Sequence, residues 1–165
     1  MRTDNLYAIP EDLPVPQDDG ACSHLRSSML PAIGLRATSG QTIVLSKEGR
    51  PWLVVYCYPR TGRPDEEPLG GATAWNAIPG ARGCTPQSCA YRDHNAELTS
   101  LGASVYGLSA QVTVYQSEAI ARLHLPFPLL SDSQLHFARA LRLPTFTAGG
   151  VQLIKRLTLI AVRVV

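Results

Sequence analysis

Residues 51–59 read PWLVVYCYP and residues 83–93 read GCTPQSCAYRD. The first is an unbroken apolar run, preceded by the turn Lys47-Glu48-Gly49-Arg50 and closed by Pro59. A short run of this kind between turn signals predicts a strand buried on both faces, at the centre of a largely parallel sheet. In the second stretch, Thr85 predicts a helix N-cap and Pro86 the first helical position, where its missing N–H is no loss. That helix is expected to end at Gly102.

Outward from these segments, QTIVLS (41–46) predicts the first regular strand, ASVYGLS (103–109) a strand and TVYQSEAIARLHL (113–125) a helix. PFPLLS (126–131) then reads as a short strand, DSQLHFARALRL (132–143) as a helix capped by Asp132, and VQLIKRLTLIAV (151–162) as a strand. Strands alternating with helices imply crossover units and an α/β sheet. Residues 1–28 carry Pro10, Pro14, Pro16 and five carboxylates with neither structural period, and predict an extended, partly ordered arm on a 29–165 domain. Residues 60–83 hold five glycines and three prolines and predict a long inserted loop. In compact domains such loops are commonly functional or disordered.

The 165 residues amount to one domain, large enough to fold without a metal or disulfide staple. Fifteen basic against thirteen acidic side chains leave a net charge of +2, without the basic excess of a nucleic-acid binder. The acid- and proline-broken N-terminus lacks the apolar stretch of a secretory signal, and no apolar run is long enough to cross a bilayer. The expectation is therefore a cytoplasmic protein that engages neither nucleic acid nor membrane. In a reducing compartment, two closely spaced cysteines are more often catalytic or metal-binding than structural.

Cys84 falls at a predicted helix start, where unpaired N–H groups and the positive end of the macrodipole favour an anion. Taking an ordinary thiol from a pKa of about 8.5 to about 6 needs roughly 3.4 kcal/mol, and a helix terminus supplies about 1 kcal/mol. A nearby guanidinium is needed as well. Cys89 sits in the same helix, with a Cα about 8.6 Å away by helix geometry. A disulfide needs less than about 7 Å, so bridging the two requires the first turn to unwind. This suits a cycle in which one thiol is oxidised in a closed site and the other captures it after opening.

The motifs YCYP, GCTPQSCAYRD, VYGLS, PFPLLSD and KRLTLI together resemble the peroxiredoxin family, specifically the Q-type (bacterioferritin-comigratory) thiol peroxidases, over residues 28–162. The resemblance implies a thioredoxin-like fold, a central mixed sheet flanked by helices. It implies Cys84 as the peroxidatic cysteine, Cys89 as the resolving one, and Arg156 aimed at the Cys84 sulfur. The implied activity is reduction of hydrogen peroxide or organic hydroperoxides through a Cys84 sulfenic acid and a Cys84–Cys89 disulfide, recycled by thioredoxin or a similar dithiol and requiring no cofactor. The alternative is a non-catalytic thioredoxin-fold redox sensor or interaction module.

Two departures from the family pattern stand out. Ala77 and Ala81 occupy the places of a proline and of the threonine that bonds the reactive sulfur, which leaves Thr61 or Thr73 to fold back in its stead. The chain also stops at Arg163-Val164-Val165, where the family continues, so it reads as C-terminally truncated. An uncovered last strand then predicts a monomer prone to weak dimerisation or aggregation. Cys57 reads as core, Cys22 as a spare thiol on the arm, and a metal site of Cys84, Cys89 and His94 lacks the spacing and a fourth ligand.

Overall fold

The computed structural model describes residues 2–163; the chain end on which the truncation reading turns lies outside them. Six strands form the main sheet in the order β2 (Thr42–Val44), β1 (Gly34–Ala37), β5 (Leu129–Ser131), β4 (Ala103–Ser109), β3 (Trp52–Cys57) and β8 (Leu157–Val162). β3 runs parallel to β4 and antiparallel to β8, while β4 and β5 are parallel and β1 is antiparallel to both its neighbours.

The burial of β3 explains its composition. Leu53, Val55 and Cys57 face one core with Leu108, Leu130 and Phe137; Val54, Tyr56 and Tyr58 face the other with Ala119, Leu123 and Cys84. With both faces covered, an alternating pattern has no reason to appear. Phe137 comes from α5 (His136–Ala140), whereas Cys84 opens α2 (Cys84–Asp93) and Ala119 and Leu123 belong to α4 (Thr113–Leu123). Helices thus cover both faces of a mixed sheet, the thioredoxin-like architecture expected from the resemblance.

Several local expectations are corrected. The first strand begins at Gly34, not at Gln41, since β1 pairs with β2 as a hairpin, and a 3-10 turn at Ser23–Leu25 precedes it. The helix opening near Thr85 is capped by Gly83, whose φ of 107° suits glycine, and Thr85 is its second residue. It ends at Asp93, and after a break at His94 the shorter α3 (Asn95–Ser100) follows. The 60–83 loop contains α1 (Ala72–Asn76).

The most consequential correction concerns the last strand, which is two. β7 (Val151–Ile154) pairs with β6 (Thr145–Ala148) around Gly149-Gly150, and β8 starts at Leu157. The two glycines have φ of 54° and 75°, the signature of a tight hairpin turn. Lys155 and Arg156 occupy the break between β7 and β8. Outer positions of β8 such as Ile160 and Val162 are exposed, while Leu157, Leu159 and Ala161 pack inward.

The N-terminal arm is laid down on the domain. Leu6 is buried, and Arg82 donates to the Asp4 carboxylate and to the carbonyls of Asn5 and Ala8, at 2.7 and 3.3 Å for the last two.

Candidate active site

Cys84 is 3% exposed. The left-handed turn at Gly83 swings the chain into α2, so the Cys84 side chain stands at the helix N-terminus with the Tyr56–Tyr58 core behind it. Its Sγ lies 3.7 Å from the carbonyl oxygen of Ala81. The guanidinium of Arg156 completes the site, with Nη2 3.1 Å from the sulfur.

Arg156 is held from several sides. Its Nε donates to Gly80 O at 3.1 Å, Nη2 to Arg82 O at 3.1 Å, and Nη1 to the side-chain oxygen of Gln87, one turn along α2. A planar fork bonded this way has little freedom to leave the sulfur. The break between β7 and β8 gives the side chain a path to α2 that a continuous edge strand would not.

Cys89 is half-buried on the same helix and packs against the Tyr56 core. Tyr56 stacks on Tyr91 with ring centroids 4.5 Å apart and donates to Ser88 at 3.1 Å. These contacts tie the middle of α2 to β3. All four cysteines are free thiols, and the intact helix keeps Cys84 and Cys89 beyond bonding distance.

The remaining candidates separate from this centre. The hydroxyl of Thr61 donates to Gln111 Oε1 at 3.1 Å, and Thr61 N donates to the same oxygen at 3.0 Å; the structure does not bring it to Cys84 by a hydrogen bond. Thr73 lies in α1, whose Trp75 packs on Phe146 of the β6–β7 hairpin. Ala81, in the threonine position, offers only its backbone. Cys57 lies on the opposite face of the sheet, and complete burial pushes its thiol far up, so it stays neutral. Partial burial, then Asp19 and Asp18, raise the Cys22 thiol as well. His94 pairs with Glu97 at 2.9 Å, and the described residues contain no cluster able to hold a metal.

Above Cys84 lies a cavity of about 20 Å³, room for about one water molecule. Arg2, Leu6, Arg60, Arg63, Trp75 and Tyr115 line it together with Cys84. Arg60 and Arg63 flank the Tyr115 ring, at 4.3 and 4.0 Å from its centroid. Sequence reasoning missed Gln87, Gln111 and the arm. Gln87 stood three residues after Cys84 and was legible as a same-face neighbour; the arm's docking carried no periodic signal.

Residues 70–161 match the AhpC/TSA family, and the chain belongs to it. Among curated relatives, it is 37% identical over 108 residues to the chloroplastic peroxiredoxin Q of Oryza sativa subsp. japonica, covering 65% of this chain and 41% of the relative. It is 30% identical over 133 residues to that of Gentiana triflora, covering 77% and 52%. The chain thus spans about half or less of these relatives' length. Among solved structures, the peroxidoxin BcpB of Mycobacterium tuberculosis superposes with a TM-score of 0.63 at 22% identity, over 82% of this chain and 77% of that one. The bacterioferritin comigratory protein of Xanthomonas campestris gives 0.61 at 20% identity, over 92% and 82%. These likenesses establish the thioredoxin-like fold of the peroxiredoxins.

Proposed function

We propose that this protein is a thiol peroxidase in which Cys84 attacks hydroperoxides and Cys89 resolves the product. The observation that carries the reading is the Arg156 guanidinium 3.1 Å from a buried sulfur at a helix N-terminus. The thiolate attacks the distal peroxide oxygen and the O–O bond breaks. The electron pair leaves on the proximal oxygen, which takes a proton and departs as water or alcohol, leaving a Cys84 sulfenic acid. Arg156 and the helix N–H groups offset the charge as it moves from sulfur to the leaving oxygen.

The first turn of α2 then unwinds. The Cys89 thiol attacks the sulfenic sulfur, forming the Cys84–Cys89 disulfide and releasing water, and an external dithiol such as thioredoxin reduces it by exchange. No further cofactor enters the cycle. The reading includes a cytoplasmic site of action and a monomer that associates weakly through the outer edge of β8. One observation favours a slower enzyme or a sensor: Ala81 supplies no hydroxyl and that of Thr61 is committed to Gln111. Peroxide-dependent NADPH oxidation with thioredoxin and its reductase separates the two. Catalytic turnover is expected, and a protein that is oxidised once but never cycles is the sensor.

A further inference from the structure

The arm's path bears on what reaches Cys84. Arg82, two residues before the cysteine, receives the arm through the Asp4 carboxylate and the Asn5 and Ala8 carbonyls. Glycines beside the site lie against it, most closely Gly62. A Cβ on Gly62 would stand 2.6 Å from Arg2 Nη1 and 2.8 Å from Leu6 Cδ2; one on Gly83 would meet Ile9 Cδ1 at 3.5 Å, and one on Gly80 would meet Pro16 at 3.3 Å. Arg2 and Leu6 of this segment line the same small cavity that Cys84 lines.

We propose that residues 2–9 form a strap that sets the substrate class, so that the closed site takes hydrogen peroxide and excludes bulky organic hydroperoxides. This rests on the peroxidase reading and adds to it a size limit with a named wall, Leu6, and a named latch, the Asp4–Arg82 ion pair. Hydrogen peroxide is little larger than a water molecule, for which such a space has room. Cumene hydroperoxide carries a phenyl ring and reaches the sulfur only when the strap lifts in a local opening.

The test compares wild type with Leu6→Ala, which shortens the wall, and Asp4→Asn, which weakens the latch. Single-turnover oxidation is measured with hydrogen peroxide and with cumene hydroperoxide. The preference for hydrogen peroxide is expected to fall about tenfold or more in both variants, the scale on which a hydrophobic wall discriminates. A preference that stays within about twofold across the three proteins overturns the proposal. A second readout is Cys84 labelling, located by peptide mapping, with iodoacetamide and with a pyrene maleimide. It reports closure over the thiol whether or not the thiol reacts with peroxide. A wild type inert to both peroxides therefore marks failure of the peroxidase reading, and with it of the substrate class, whereas a size-independent labelling ratio marks failure of the strap.

Discussion

The Nη2 of Arg156 stands 3.1 Å from the Sγ of Cys84, across 72 residues of sequence. The contact depends on a break in the chain's last strand region, where β7 has finished its hairpin with β6 and β8 has not yet begun to pair with β3. Residues in neither ladder can turn toward α2, and carbonyls of residues 80–82 together with Gln87 fix the guanidinium when it arrives.

Arg156→Met is expected to slow peroxide oxidation of Cys84 by about a hundred- to a thousandfold, the usual effect of removing one preorganised charge-stabilising donor. Arg156→Lys should recover only part, because a point charge cannot keep the forked contacts to Gly80, Arg82 and Gln87. Stopped-flow rates of peroxide oxidation for the two variants check both. Wild-type rates in Arg156→Met would move the role to another cation.

Gly107 on β4 faces Tyr56, and a Cβ there would stand 2.7 Å from the ring's Cζ and hydroxyl oxygen. Gly107→Ala should therefore overpack the core behind Cys84 and destabilise the fold by about 1–3 kcal/mol. Denaturant unfolding measures it. Because Tyr56 also holds Ser88 and stacks on Tyr91, the middle of α2 should loosen with it, visible as faster amide exchange over residues 87–91.

The fold was largely legible because its centre is two-sided: the run from Trp52 to Cys57 has one reading as a buried strand, and ASVYGLS from 103 to 109 matches β4 residue for residue. Boundaries failed where local signals conflicted. Apolar residues on both sides of Lys155-Arg156 disguised a break between two strands, although Gly149-Gly150 marked the hairpin that causes it. Cys84, Cys89 and Arg156 were reachable through the motif around GCTPQSC and its resemblance. Thr61 was reachable only as a stand-in for the threonine that the family pattern places at Ala81, and Gln111 claims it through a contact 50 residues away. The strap was not legible, since its docking rests on Arg82, 78 residues from Asp4, and on the single buried Leu6, and neither leaves a sequence period.

Asp4 makes the strap sensitive to acid. Burial alone raises its carboxyl, but the hydrogen bond from Arg2 and the charges of Arg2 and Arg82 outweigh this and hold it below the ordinary value of 3.8. A carboxyl depressed in the folded state contributes stability that is present above its unfolded pKa and lost as pH falls through its folded one. Amide exchange over residues 4–8, corrected for its intrinsic pH dependence, should therefore be slow above pH about 4 and accelerate below it. Asp4→Asn should exchange readily across the whole range; equal corrected pH profiles for the two proteins would show that Asp4 is not the latch.

The most direct test of the account is a single-turnover oxidation of the reduced protein by hydrogen peroxide, with dimedone present to trap sulfenic acid and peptide mapping to place it. In Cys89→Ser, peroxide should be consumed once per chain and the adduct found at Cys84; Cys84→Ser should consume none by this route. Wild-type consumption by Cys84→Ser, or an adduct at Cys89 or Cys22 in its place, would contradict the assignment of Cys84 as the peroxide-reactive thiol.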